Sequence, residues 1–424
     1  MSKIMFAGTG EKLQYLLHEH NDNTIRFVLR YPGLIDPDLM CAAVKALIQK
    51  SDILHSSFHN DALNAHWIIQ EEYDDSCFFQ YIRTEGDPYV TAQSLALLPV
   101  LPEGPAQLRC YLVQNEKQSA VALTISHLCV DGGDGKYLLS KLAESYGMLA
   151  ETGCADELTI KNGSRAPEQI YEGLKLKEIL SLLKIQDNGV KSEFPFADQN
   201  LGRRNMVYMT IPADVMAAAR RRAKAAGATV NDLLLTALYE AYAAMPGVDA
   251  DAPMSVMSMI DLRRHCSDGE SEGLGNMSGT FPTKLMEGIG EDFSATLCQV
   301  AEQTRQMKEN PLAGMDSLPL IHGVVRTMPM KLLTLVAGKV YGSFSLGLTN
   351  LGSIDNIALG NLVPTEGLFG GPLKKKPGMQ VSAASFDGTC SLCVVGQYTD
   401  ADTVLLRTLL DKMANQIVAY ANGI

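Results

Sequence analysis

The chain has 424 residues and a formal net charge of −12 at pH 7, with 46% hydrophobic and 20% charged residues. That length exceeds one ordinary core and predicts two compact units, while the composition excludes disordered and fibrous classes. The acidic balance opposes a role on nucleic acid, where neutralising phosphates needs a dominant basic surface.

The nine cysteines follow no regular disulfide framework, and the first residues carry no signal-peptide core, so reduced thiols and a cytoplasmic location are expected. Apolar runs such as LLLTALYEAYAAM (233–245) fall short of the roughly 20 residues that span a bilayer. No membrane span is expected.

In chain order, TIRFVLRY (24–31) reads as a strand. Asp36 then suits a helix cap with Pro37 at the first helical position, and Leu39, Met40, Ala43, Val44, Leu47 and Ile48 recur at helical spacing. QLRCYLVQN (107–115) and AVALTIS (120–126) read as neighbouring strands, the second delivering His127 at its end. Tyr137, Leu138, Leu142, Ala143, Tyr146 and Leu149 mark a helix buried on one side. Residues 1–165 form the first expected unit. Turn formers dominate 166–204, the expected crossover, around a helical patch at YEGLKLKEILSLLK (171–184).

The second unit, 205–424, opens with a helix started by Pro212 and stopped by Gly227. Thr229 with Asp232 then suits a capping box for the next helix. FSLGLTNLG (344–352), MQVSAASF (379–386) and CSLCVVGQY (390–398) read as strands, and DTVLLRTLLDKMANQIVAYA (402–421) as an amphipathic closing helix. Strands mixed with helices in both halves place the chain in the α/β class.

The junction LTISHLCVDGGDGKYLL (123–139) carries the chemistry-bearing residues. Histidine titrates near neutral pH and is suited to take a proton from an alcohol, amine or thiol. A strand end fixes the imidazole, and the glycines that follow let the loop curl back. Asp131 is suited to orient His127 or to pair with an arginine. The plainer alternative is a turn with a helix cap and a core histidine.

HLCVDG (127–132) fits H-x-x-x-D-G and resembles the active-site signature of the acyltransferase superfamily. That superfamily includes chloramphenicol acetyltransferases, nonribosomal peptide condensation domains, plant acyl-CoA acyltransferases and alcohol acetyltransferase-like proteins. GLIDPDLMCAAVKALIQKSDILHSSF, GATVNDLLLTALYEA, MSMIDLRRH, GLGNMSG and LTNLG follow in the order such proteins show. The resemblance implies two chloramphenicol acetyltransferase-like subdomains, each a mixed sheet with helices, forming a V around a central tunnel.

It also implies acyl transfer from a thioester, on coenzyme A or a carrier protein's phosphopantetheine, to a hydroxyl or amine of a small acceptor. His127 would be the general base, Asp131 architectural with Arg263 its partner, and Gly132 the residue that keeps the channel open. Asn350 is a candidate oxyanion donor, with a turn before Gly352 as its plainer reading. Asn276 and Ser278 are candidate tunnel-lining residues, against ordinary loop chemistry. No permanently bound cofactor or metal is expected, and a free-standing monomer is. Two departures stand out: Ser126 replaces a second histidine usual in condensation domains, and His55 stands where many of them carry an arginine. They motivate an alternative, a non-catalytic protein of this fold that binds a carrier protein or small ligand.

Arg220, Arg221, Arg222 and Lys224, and Lys374, Lys375 and Lys376, are charges of the kind that meet coenzyme A phosphates, but such runs mostly solvate a surface. The spacing around VDGGDGKY fails the phosphate-loop pattern. Cys390 and Cys393 would face opposite sides of a strand, which argues against zinc. Cys129 reads as a loop residue and lacks the orienting third group of a nucleophile–base pair.

Overall fold

The computed structural model describes residues 3–18, 21–61, 65–183, 190–334 and 346–423. Its first sheet is built on β7 (Ser119–Ser126), whose eight residues are all buried. Antiparallel partners flank it: β2 (Thr24–Tyr31), with Thr24 opposite Ser126, and β6 (Leu108–Gln114). β5 (Phe79–Arg83) adds in parallel beyond β6.

α2 (Pro37–Gln49) and α4 (Gly132–Thr152) pack on each other, and their buried positions join the core on one face. Asp36 caps α2 by accepting from the amides of Asp38 and Leu39, as its place before Pro37 predicts. α3 (Pro88–Ala96) covers the opposite face. A separate three-stranded sheet forms from β1 (Ile4–Phe6), β3 (Ser56–Asn60) and β4 (Ala65–Ile69) in the order β1-β4-β3.

The second sheet has the order β10-β9-β11-β13-β14-β8, comprising β8 (Arg203–Ile211), β9 (Met254–Asp261), β10 (Ser278–Leu285), β11 (Leu346–Ser353), β13 (Met379–Phe386) and β14 (Thr389–Tyr398). Among the described residues four helices share its core: α6 (Ala213–Ala225), α7 (Val230–Ala243), α8 (Phe293–Glu309) and α10 (Asp400–Asn422). Thr229 and Asp232 make a reciprocal capping box on α7. Cys390 and Cys393 fall in different core clusters on opposite faces of β14. Among the described residues of the helical patch at 171–184, α5 (Leu176–Ser181) alone is α-helical, after a 3-10 turn at Pro167–Tyr171.

One strand crosses between the halves. β12 (Glu366–Gly370) lies in the second half of the sequence but pairs antiparallel with β2 at the edge of the first sheet. The chain then returns, and Lys374 bridges Asn21 on one side and Gly396 on the other. Asp22 pins this crossing. Its carboxylate accepts from the Leu373 amide at 3.0 Å, from Arg204 of β8 at 3.1 Å, and from the fully buried Arg26 of β2. A boundary at 204 thus divides the sequence but not the sheets.

Candidate active site

His127 is placed by two backbones. β7 ends at Ser126, whose amide donates to Gln107 O at 2.8 Å, and the His127 amide donates to Asn23 O at 2.7 Å. Asn23 has φ of +45° and follows the pinned Asp22, and its side-chain amide is tied to Gln14 O at 2.6 Å. The strand end and the crossing therefore fix the same residue.

Four residues further on, Asp131 caps α4. Its Oδ1 accepts from the Asp134 amide at 3.0 Å, and its Oδ2 accepts from Arg263 Nη1 and from the Met277 amide, each at 2.8 Å. Asp134, in the first turn of α4, accepts from the Gly275 amide at 2.8 Å and pairs with Arg263 Nη2 at 2.9 Å. Arg263 also reaches Asp261 at 3.1 Å, Ser271 Oγ at 3.1 Å and Gly275 O at 3.3 Å.

All three side chains are buried. Isolated charges there would cost several kcal/mol, roughly, and are tolerated because each is paired and hydrogen-bonded. Burial and the neighbouring Asp131 push the Asp134 carboxyl up to about 6, against the pull of Arg263. Both acids also lie at the positive end of the α4 dipole.

Arg263 thus braces both Asp131 and Asp134. His55 sits elsewhere, bonded to Gln70 O at 2.9 Å and tilted against the Tyr73 ring.

The same cluster clamps the 273–277 segment. Gly273 is required for close approach, since a Cβ there would lie 2.4 Å from Gly163 O. The segment presents Asn276, whose Nδ2 lies 3.1 Å from His127 Nδ1 while its Oδ1 accepts from the Ser278 amide at 3.1 Å. His127 is half-buried. Burial lowers its pKa and the Lys374 charge acts in the same direction, while Asp131 and hydrogen bonding to the carbonyls of His127 and Val130 oppose them. The imidazole is neutral at pH 7 and keeps a lone pair.

Ser278 is exposed at the start of β10. Asn350 is half-buried in β11, and its Oδ1 accepts from the Gly352 amide at 2.9 Å, where φ is +67°. That is the turn of the plainer reading. The register of β11 against β13 shifts between Asn350 and Ser353, and a shift of this kind re-aims side chains. Leu351 turns toward α4 and takes the room left at Gly132, where a Cβ would lie 2.6 Å from Leu351 Cδ2. The absence of a side chain at Gly132 therefore admits Leu351.

Of the charge runs, Arg220, Arg221, Arg222 and Lys224 lie on the exposed face of α6. Lys376 is buried against Asp402 and Asp198, a structural role. Lys374 alone of these is felt at His127. Cys129 is buried, and burial pushes its thiol up to about 12, the wrong direction for a nucleophile.

Sequence reasoning missed Asp134, Met277 and the backbone of Gly275 as members of the cluster. Only Asp134 carried a signal, as an acid three residues into a capped helix. Among the described residues no group of histidine, cysteine and acid side chains is arranged to hold a metal, and no helix is long and apolar enough to cross a membrane.

No protein-family model and no curated protein matches the chain. Solved structures do. Polyketide synthase associated protein 5 from Mycobacterium tuberculosis aligns over 98% of this chain and 97% of its own, with a TM-score of 0.69 and 15% identity. The first condensation domain of the CDA synthetase aligns over 99% and 97%, with a TM-score of 0.69 and 16% identity. Trichothecene 15-O-acetyltransferase from Fusarium sporotrichioides aligns over 98% and 95%, with a TM-score of 0.69 and 12% identity. At these identities the likeness concerns the fold: the chain has the two-subdomain, chloramphenicol acetyltransferase-like architecture of condensation domains.

Proposed function

We propose that the protein is an acyltransferase that moves an acyl group from a thioester to a hydroxyl or amine, with His127 as general base. The observation that carries this reading is a neutral, half-buried imidazole fixed at a strand end beside a fully braced Asp131–Arg263 pair. A neutral imidazole takes the acceptor's proton as its oxygen or nitrogen attacks the thioester carbonyl carbon. The C–S bond then breaks, and the proton passes to the departing thiolate, leaving ester or amide plus free thiol.

With Asn276 at Nδ1, Nε2 is the ring atom left for the acceptor. It accepts once the ring proton sits on Nδ1, the tautomer that hydrogen bonds to the carbonyls of His127 and Val130 favour and that Asn276 Nδ2, itself a donor, opposes. The Lys374 charge disfavours the imidazolium and lends positive potential to the oxyanion that forms.

The donor in this reading is acyl-CoA or a carrier-bound phosphopantetheine thioester, a substrate and not a resident cofactor. All nine cysteines are free, which supports a reducing, cytoplasmic setting. The binding-only alternative draws on Leu351, which fills the space beside Gly132.

The test is thiol release from acetyl-CoA, longer acyl-CoAs and a carrier-linked thioester, with and without small alcohols and amines, beside His127→Ala. Acceptor-dependent release that the variant loses supports acyl transfer. No release from any of these donors sinks it.

A further inference from the structure

Lys374 stands apart from its neighbours in the charge run. Lys375 is exposed, and Lys376 is buried against Asp402 and Asp198. Lys374 is half-buried, and among the described residues no carboxylate pairs with its ammonium. The chain carries 48 acidic residues against 36 basic ones, so composition does not explain the missing partner. Asp22, on the turn that Lys374 joins, is already taken by Arg26, Arg204 and the Leu373 amide.

The backbone carries this lysine to His127. Lys374 bridges Asn21, the Asp22 amide donates to Leu373 O at 3.2 Å, and the His127 amide donates to Asn23 O at 2.7 Å. Lysine and histidine therefore hang from one short turn, which Asn23 ties to Gln14 of α1 (Thr9–Leu16). The Lys374 charge acts on the imidazole. A partly desolvated cation without a partner carries a cost that a bound anion offsets, and groups of this kind gather at functional sites.

The other charge acting on the ring is Asp131, whose carboxylate is already neutralised by Arg263. An anion arriving at His127 thus meets an ammonium that is still available. Its three N–H donors suffice for a carboxylate and a developing oxyanion together.

We propose that the substrate held at His127 carries a carboxylate and that Lys374 receives it. The proposal rests on the acyl-transfer reading and adds the charge of the molecule involved. The carboxylate belongs to the acceptor, as in a short hydroxy acid, or to the acyl group, as in the half-thioester of a dicarboxylic acid.

The test follows the titration of the His127 imidazole by NMR in the full chain, its signal being the one that His127→Ala removes. 3-Hydroxybutyrate is compared with butane-1,3-diol, and methyl hydrogen succinate with dimethyl succinate, at constant ionic strength. A carboxylate on Lys374 offsets the cation that disfavours the imidazolium. The midpoint is therefore expected to rise saturably, by about 0.5 on the pH scale or more, with at least one acid and with neither neutral partner. Lys374→Met should raise the midpoint of the free protein and weaken binding of the acid about tenfold, whereas Lys374→Arg should keep the response. His322 of α9 (Leu318–Thr327), lowered by burial with no cation acting on it, should not move.

A response to the hydroxy acid alone assigns the carboxylate to the acceptor, and one to the half-ester alone assigns it to the acyl group. A response to both makes the carboxylate the recognised feature whichever molecule brings it. No saturable rise with either acid, an equal rise with a neutral partner or with inorganic phosphate, or a rise that survives Lys374→Met overturns the proposal. His127-dependent thiol release would then still stand for acyl transfer. A saturable rise without thiol release from any donor supports the carboxylate site and sinks the acyl-transfer reading instead.

Discussion

His127 and Asp131 are four residues apart in one junction, yet their surroundings are opposite. Asp131 is buried with both carboxylate oxygens engaged by Asp134, Arg263 and Met277, whereas His127 is half-buried and touched by one side-chain amide. The difference separates architecture from chemistry. A saturated ion pair holds loops in place but has no valence left for a substrate, and a catalytic base must keep one.

Removing the free valence should have the largest effect on turnover. His127→Ala is expected to lower acceptor-dependent thiol release by about 10²–10⁴-fold, the usual worth of a general base, with the denaturation midpoint unchanged. Equal activity in the variant would erase the contrast between the two residues.

Breaking the saturated side should instead cost stability. Arg263→Met leaves Asp131 and Asp134 buried without their cation and is expected to destabilise by about 3–5 kcal/mol, read by chemical denaturation. The pH dependence carries a sign. The Asp134 carboxyl is raised in the folded state to about 6 from an ordinary 3.8, so its contribution to stability is fully present below about pH 3.8 and is lost as pH rises through about 6. Asp134→Asn should flatten that part of the stability profile between pH 4 and 7.

Moving charge from one side of the comparison to the other sharpens it. Asn276→Asp puts a carboxylate at His127 Nδ1 and should raise the imidazole pKa, which burial now lowers. The carboxylates and cations acting on that ring are otherwise Asp131 and Lys374. The acid limb of the pH–rate profile should therefore move to higher pH in the variant. An unmoved limb would mean that the titrating base is not His127.

The smallest effect is expected at Gly132→Ala. Its new Cβ meets only the flexible end of Leu351, for a cost of about 1 kcal/mol that Leu351→Ala should relieve in a double-mutant cycle.

Much of the first unit was legible because local physics fixes it. β2 runs over the predicted residues 24–31, and α2 begins at Pro37 behind its Asp36 cap. The strand-to-helix junction at His127 and the Asp131 cap follow from an apolar run, a short polar residue and glycines in sequence. The second half was less legible. β12 joins the other half's sheet through backbone hydrogen bonds, which depend little on side-chain identity.

The sequence by itself determined the α/β alternation, the caps of α2, α4 and α7, and a histidine at a strand end, since periodicity and short polar side chains act within a few residues. Tertiary structure decided that Arg263, the partner the resemblance suggests for Asp131, braces it from 132 residues away and braces Asp134 as well, that Asn276 meets the imidazole, and that Leu351 occupies the room at Gly132. Those contacts join segments that adjoin only after both sheets have formed. Burial, which turns a pair of opposite charges into a brace and keeps a histidine neutral, belongs to the fold and to no single stretch of chain.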